Sequence, residues 1–133
     1  MTHSGAWIGV DFDGTLVTDI GPWPLIGEPV PSMVTLVKQI IESEVVEVRI
    51  FTARCFDENG TPDYTEVFKV IEWCKVHLGR QLAITCMKDK SMLLLIDDRA
   101  VAAQRNTGRL MTYRNDLLEH ISTHPTTTAG GAE

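Results

Sequence analysis

Apolar residues in this chain come in short blocks whose spacing alternates between two periods. Trp7-Ile8-Gly9-Val10 is a compact apolar run and reads as a buried strand. Met33, Leu36, Val37, Ile40 and Ile41 then recur at helical spacing behind Ser32, a residue suited to an N-cap, so a helix is expected to about Ser43. Val45 to Phe51 is β-branched and partly alternating, which predicts a second strand. Tyr64, Val67, Val70, Ile71, Cys74 and Leu78 mark one face of a second helix. Asp63 with Glu66 forms a capping-box pattern at its start, and Gly79 follows its end. Leu82–Thr85 reads as a third strand, and the wholly apolar Met92–Ile96 as a central buried one. Ala100 to Gln104 reads as a short strand or a helical turn, and Asn106-Thr107-Gly108 as a turn. Asn115 is placed to cap a last helix carrying Leu117, Leu118 and Ile121.

The segments between these blocks are punctuated differently. Val17 to Pro31 holds two Gly and four Pro among apolar residues, which predicts a loop or short hairpin. Cys55 to Pro62 is a polar loop. Strands alternating with helices predict an α/β fold, a Rossmann-like three-layer sandwich around a mostly parallel sheet. One domain is expected over residues 1–124, with a small polar tail at 125–133 that is expected to be disordered. In such sheets ligands bind beyond the carboxyl ends of the strands. Asp11, Asp13, Thr52, Lys88, Asp97 and Asp98 all fall there.

Composition narrows the functional classes. The chain has 133 residues, 44% of them apolar, and a net charge of −6. That charge argues against binding long nucleic acid through a broad basic surface. It leaves room for a small phosphorylated ligand whose charge is met locally. No apolar run approaches the ~18 residues of a membrane span. Met1 to Ala6 lacks the charged and apolar regions of a secretion signal, so a cytoplasmic location is expected. Cys55, Cys74 and Cys86 are widely spaced, with no CxxC and no compact His/Cys cluster, so reduced thiols are expected, two of them in the core, and no zinc site.

The chemistry concentrates at Asp11-Phe12-Asp13-Gly14-Thr15-Leu16, where the first strand gives way to a glycine-bearing turn. Two unit charges ~4 Å apart repel by about 1 kcal/mol even in bulk water, and by more in a cleft. A hard divalent cation with oxygen ligands is the natural compensation. An EF-hand loop is excluded, because Leu16 and Pro22 stand where its Gly and Glu belong. Trp23, in the loop that follows, has two readings: a cover over the substrate, or a plug at the edge of the core.

This stretch resembles the first motif of the haloacid dehalogenase-like (HAD) superfamily of phosphotransferases. Ile50-Phe51-Thr52 resembles the second motif, Lys88 or Lys90 would be the third, and Ile96-Asp97-Asp98 resembles the fourth, in the family's order. Lys88 is preferred as the nearer to the third strand. The resemblance covers most of residues 7–108. It implies a phosphatase in which Asp11 is the nucleophile and Asp13 the general acid/base. Thr52 and Lys88 would hold the phosphoryl group. Asp11, the Asp13 backbone carbonyl, Asp97 and Asp98 would bind Mg²⁺. Gly14, Ala53, Arg54 and Trp23 would line the substrate. The lysine lies unusually close before the fourth motif, with no room for a full helix between them.

Receiver domains of response regulators use similar groups, but their acidic pair comes first and their acceptor Asp mid-chain. The order here favours an enzyme over a signalling module. Neither gap in which HAD enzymes insert a cap domain is long enough for one. A capless, open site is therefore expected, covered if at all by a neighbouring copy in a homo-oligomer. A small phosphorylated metabolite or nucleotide is the favoured substrate. A nucleic acid end or a phosphoprotein is the alternative, with Arg54, Arg99 and Arg105 as contacts.

Overall fold

The computed structural model describes residues 5–111 and residue 121. Its strands are β1 (Trp7–Asp11), β2 (Glu47–Phe51), β3 (Ala83–Thr85) and β4 (Met92–Ile96), and its helices α1 (Pro31–Ser43) and α2 (Tyr64–Leu78). The four strands form one sheet in the order β3-β2-β1-β4, with every pairing parallel. This is the Rossmann-like α/β arrangement that the alternation predicts. Residues Met1–Asp98 form one compact unit and Arg99–Glu133 a second.

β1 lies inside the sheet, and its first four residues are buried. Ile8 and Val10 join Val48 and Ile50 of β2 and the inner faces of both helices in a common core. Gly9 lies where a Cβ would stand 3.0 Å from Leu95 Cδ1 and 3.2 Å from the Trp7 ring, so close approach rather than turn geometry requires it. The crossovers β1-α1-β2 and β2-α2-β3 run in the same direction across the sheet. Right-handed crossovers put both helices on one face, where they touch each other.

The helix ends depart from the sequence reading in instructive ways. Val30 is the N-cap of α1 and makes no side-chain cap bond, with Pro31 opening the helix; Ser32 lies inside it. The helix closes on Glu44 in the left-handed conformation, φ 55°. The turn that follows delays β2 to Glu47, two residues past Val45. At α2, the Asp63 carboxylate accepts from Glu66 N–H at 3.2 Å and Gly79 ends the helix at φ 78°, as expected. The capping box does not close, however. Asp63 N–H donates to the Cys55 carbonyl, and the Glu66 carboxylate turns to Arg54 and Lys69. Tyr64 is exposed rather than on the inner face. Trp73 takes the inner place instead, edge-on to Phe12 with ring centroids 5.2 Å apart.

β4 is an edge strand, not the central one that its apolar sequence suggests. The register slips between Trp7 and Ile8, so that Trp7 faces Met92 while Ile8 faces Leu94. Leu93 is the extra residue of that bulge. It breaks the in–out alternation and leaves the consecutive Leu93 and Leu94 both about half exposed.

The link from β3 to β4 is a strap of six residues, 86–91. It runs from one edge of the sheet to the other, about 14 Å across three strand spacings. It also returns about 13 Å from the carboxyl to the amino ends of the strands. The diagonal is about 19 Å, and the seven residue steps from Thr85 to Met92 reach at most ~24 Å. The strap is therefore nearly taut. It crosses the face opposite the helices, as right-handedness demands of a reversed crossover. There Asp89 accepts from Trp7 Nε1–H at 2.8 Å, and Trp7 N–H donates to the Ser91 carbonyl at 3.0 Å. The Arg49 guanidinium lies 4.6 Å over the Trp7 ring and 3.8 Å from the Asp89 carboxylate. These contacts explain how Trp7 is fully buried on the face opposite α1 and α2.

In the second unit, Ala103 pairs antiparallel with Leu110 around the turn at Asn106-Thr107-Gly108, where Asn106 and Gly108 take φ 71° and 75°. Ala100–Gln104 is thus one arm of a small hairpin and not a helical turn. Of the helix expected after Asn115 only Ile121 is described, helical and exposed, and the tail at 125–133 lies outside the described residues. Among the described residues no helix is long and apolar enough to cross a membrane.

Candidate functional site

The chain turns sharply as it leaves β1. The Phe12 carbonyl accepts from the N–H groups of Thr15, Leu16 and Val17 at 3.2, 2.9 and 3.1 Å, while the Phe12 ring is fully buried. Gly14 sits in the turn at φ 88°, which favours glycine, and its N–H donates to the Val17 carbonyl at 2.8 Å. The Gly14 N–H is therefore spent within the turn.

Asp11 ends β1, and Asp97 and Asp98 follow β4 on the neighbouring strand. One carboxylate oxygen from each lies within 4.8 Å of the others. The Thr15 hydroxyl stands between them, 3.3 Å from Asp11 Oδ2 and 3.1 Å from Asp98 Oδ1, and accepts from Asp98 N–H at 3.2 Å. The Asp98 carboxylate lies directly over Gly14; a Cβ there would meet its Oδ2 at 2.7 Å. Burial, the hydrogen bond with Asp98 and the charge of Asp97 push the Asp11 carboxyl up to about 8. Three converging carboxylates with only oxygen donors fit a hard cation such as Mg²⁺. The Asp13 carboxylate is not in this cluster.

Asp13 is held from the other side by Arg54, which is 1% exposed. Nε and Nη2 of Arg54 donate to the two Asp13 oxygens at 2.8 and 2.7 Å. Nη1 donates to Glu66 Oε1 and, at 2.8 Å, to the Pro24 carbonyl, and Nη2 also to the Leu25 carbonyl at 3.1 Å. All five guanidinium N–H groups are thereby used. Arg54 has no donor left for a substrate, which corrects its expected role as a substrate contact. Burial alone would weaken its charged form, but the Asp13 and Glu66 carboxylates outweigh that and raise its pKa. The Trp23 ring lies 4.4 Å from the same guanidinium and is 61% exposed, so Trp23 is not a core plug.

Thr52 follows the last residue of β2, Phe51, and is 2% exposed. Its N–H donates to the Thr85 carbonyl at 2.8 Å and its Oγ1 accepts from Arg54 N–H at 3.1 Å, starting the 3-10 turn Ala53–Cys55. Ala53 is exposed on that turn. Lys88 and Lys90 stand exposed on the strap, and no hydrogen bond or ion pair joins either to the acidic cluster among the described residues. Only one cysteine, Cys74, is buried; burial pushes its thiol up to about 12. Cys55 and Cys86 are half-buried neighbours instead, and burial together with Cys86 pushes the Cys55 thiol up to about 11.

Two residues of the site were not marked by the sequence. Thr15, 7% exposed, joins the first motif to the fourth, and only its place in the hexapeptide hinted at it. Glu66, 6% exposed, supports Arg54, and its fit to a capping box concealed that role.

No protein-family model and no curated protein matches the chain. A solved structure described as a conserved protein from Bacteroides thetaiotaomicron is similar to it at 27% identity, with a TM-score of 0.50, over 71% of this chain and 77% of that one.

Proposed function

We propose that the chain is a Mg²⁺-dependent phosphomonoester hydrolase that works through an aspartyl-phosphate on Asp11. The observation that carries this reading is the convergence of Asp11, Asp97 and Asp98 at the carboxyl ends of two adjacent strands, with Asp13 held apart on the next turn. Asp11, Asp97 and Asp98 would hold the Mg²⁺, which when bound neutralises charge on the attacking carboxylate and the phosphoryl oxygens. Asp11 forms a bond to phosphorus as the bond to the leaving oxygen breaks. Asp13 delivers the proton that this oxygen needs. Water then attacks the phosphoryl group, Asp13 takes its proton, and inorganic phosphate leaves with Asp11 restored. Both Asp13 oxygens accept from Arg54, and each keeps a second lone pair for these transfers. The Thr52 hydroxyl proton and the cation of Lys88 are the candidate phosphate contacts.

The substrate class is a small phosphorylated metabolite or nucleotide admitted to an open site; a phosphorylated nucleic acid end is the second candidate. Three free thiols fit a reducing compartment such as the cytoplasm. Asp11→Asn should abolish hydrolysis of an aryl phosphate while leaving the unfolding transition cooperative. Full turnover by that variant would refute the mechanism.

A further inference from the structure

Arg54 ties together three parts of the molecule that are distant in sequence. Its guanidinium grips both oxygens of Asp13, accepts Glu66 of α2 as a second counter-charge, and donates to the carbonyls of Pro24 and Leu25 at the tip of the loop after β1. The loop has pinned ends. Thr18 N–H donates to the Glu28 carbonyl, Val30 N–H to the Leu16 carbonyl, and a Cβ on Gly27 would collide with the Thr18 carbonyl oxygen. Its apolar middle, Ile20, Trp23 and Leu25, is exposed at 70%, 61% and 64%. Ile26 beside it packs against the core, so the exposed middle is tied to the body of the molecule through Ile26 on one side and through the Arg54 bonds to Pro24 and Leu25 at its tip.

We propose that Arg54 and Glu66 are positioning residues that lock the loop 19–28 and the Asp13 carboxylate to each other. The proposal rests on the hydrolase reading for what Asp13 does, but the mechanical link stands on the hydrogen bonds alone. A rigid guanidinium fork fits this task in a way that an ammonium does not. It presents five donors in one plane, enough for two carboxylates and two carbonyls at once, whereas Lys offers three from a single point. Glu66 holds the fork from behind and is itself steadied by Lys69 at 2.8 Å. A substrate that presses on Trp23 thus moves the same guanidinium that orients the proton carrier. Recognition by the loop and the aim of Asp13 are one adjustment.

The test uses Arg54→Lys, Glu66→Gln and Asp13→Asn in the full chain. The ¹H–¹⁵N spectrum of the substrate-free protein in chelator reports the loop through the Trp23 indole and the amides of residues 20–26. We expect all three variants to shift those signals, Glu66→Gln least. Asp13→Asn is the informative case, because it alters neither the loop nor Arg54. Unmoved loop signals in Asp13→Asn and Glu66→Gln would overturn the link, whether or not the protein hydrolyses phosphate and whether or not Arg54→Lys folds. With activity in hand, kcat for an alkyl phosphate should fall in Arg54→Lys by a general-acid factor of ~10²–10⁴, and kcat for an aryl phosphate of good leaving ability far less. Equal losses on both substrates would deny Arg54 its role through Asp13.

Discussion

Gly14→Ala separates backbone strain from a contact that only this glycine permits. The residue takes φ 88°, so any side chain meets left-handed strain of about 1–2 kcal/mol. The Cβ would also stand 2.7 Å from Asp98 Oδ2 and 2.9 Å from both Asp98 Cγ and Oδ1. To reach ordinary contact at 3.4 Å, Oδ2 must retreat by about 0.7 Å and the other two atoms by about 0.5 Å. Retreat stretches the 3.1 Å bond to Thr15 Oγ1 and pulls one member from the acidic cluster. Local overpacking of this kind costs typically ~1–3 kcal/mol. Gly60→Ala is the control, because φ there is 78° and nothing lies within 4 Å of the new Cβ. In urea melts Gly14→Ala should lose more stability than Gly60→Ala by about 1–3 kcal/mol. Removing the obstacle as well, in Gly14→Ala with Asp98→Ala, should recover that excess. The Mg²⁺ needed for half-maximal stabilisation should rise in Gly14→Ala alone. Equal losses in the two glycine variants, with unchanged Mg²⁺ dependence, would refute the placement of Asp98 over the turn.

Further predictions concern the same region. The Asp11 carboxyl is pushed up to about 8 from the usual 3.8, so the folded chain keeps a proton that the unfolded chain releases above about pH 4. Stability in chelator should therefore fall as pH rises from about 4 to about 8, and excess Mg²⁺ should offset the fall because its ligands must be deprotonated. A urea midpoint in chelator that is flat or rising from pH 5 to 8 would contradict this. Phe12→Ala, which empties a fully buried site against Trp73, should cost ~3–5 kcal/mol in the same melts; a loss under 1 kcal/mol would mean that the turn does not depend on its buried ring. Trp23→Ala should raise KM for the best natural substrate and leave the unfolding midpoint and aryl phosphate turnover nearly unchanged. A large fall in stability would make that ring structural after all.

The sequence made the parallel sheet and the acidic residues at its carboxyl end legible, because both follow from strict local signals: strand-length apolar runs and the charges that end them. It did not show how those charges are partnered. Arg54 reads from the sequence as a substrate contact, and only the fold brings it within 2.8 Å of Asp13, 41 positions away. Glu66 was legible as a cap residue, a local explanation that left its long-range partner unseen. β4 was misplaced for a related reason. An apolar run implies burial on both faces of the sheet but says nothing of which strands lie beside it, and the bulge at Leu93 breaks the alternation that marks a half-exposed strand. Ser32 falls inside the helix because the cap is Val30, and Pro31 at the first helical position needs no partner for its nitrogen.

The strap across the face opposite α1 and α2 constrains how this domain can be lengthened, cut or assembled. With about 19 Å to cover and at most ~24 Å of chain, it tolerates the loss of one residue at most before β3 or β4 must leave the sheet. Lengthening is forgiving by comparison, since added slack costs little loop entropy. β4 pairs with β1 across a sequence separation of about 85 residues, and its entry is leashed to β3 at the far edge. The acidic cluster is complete only when β4 is docked on β1. A chain without that pairing would hold Asp11 and Asp13 without Asp97 and Asp98 beside them.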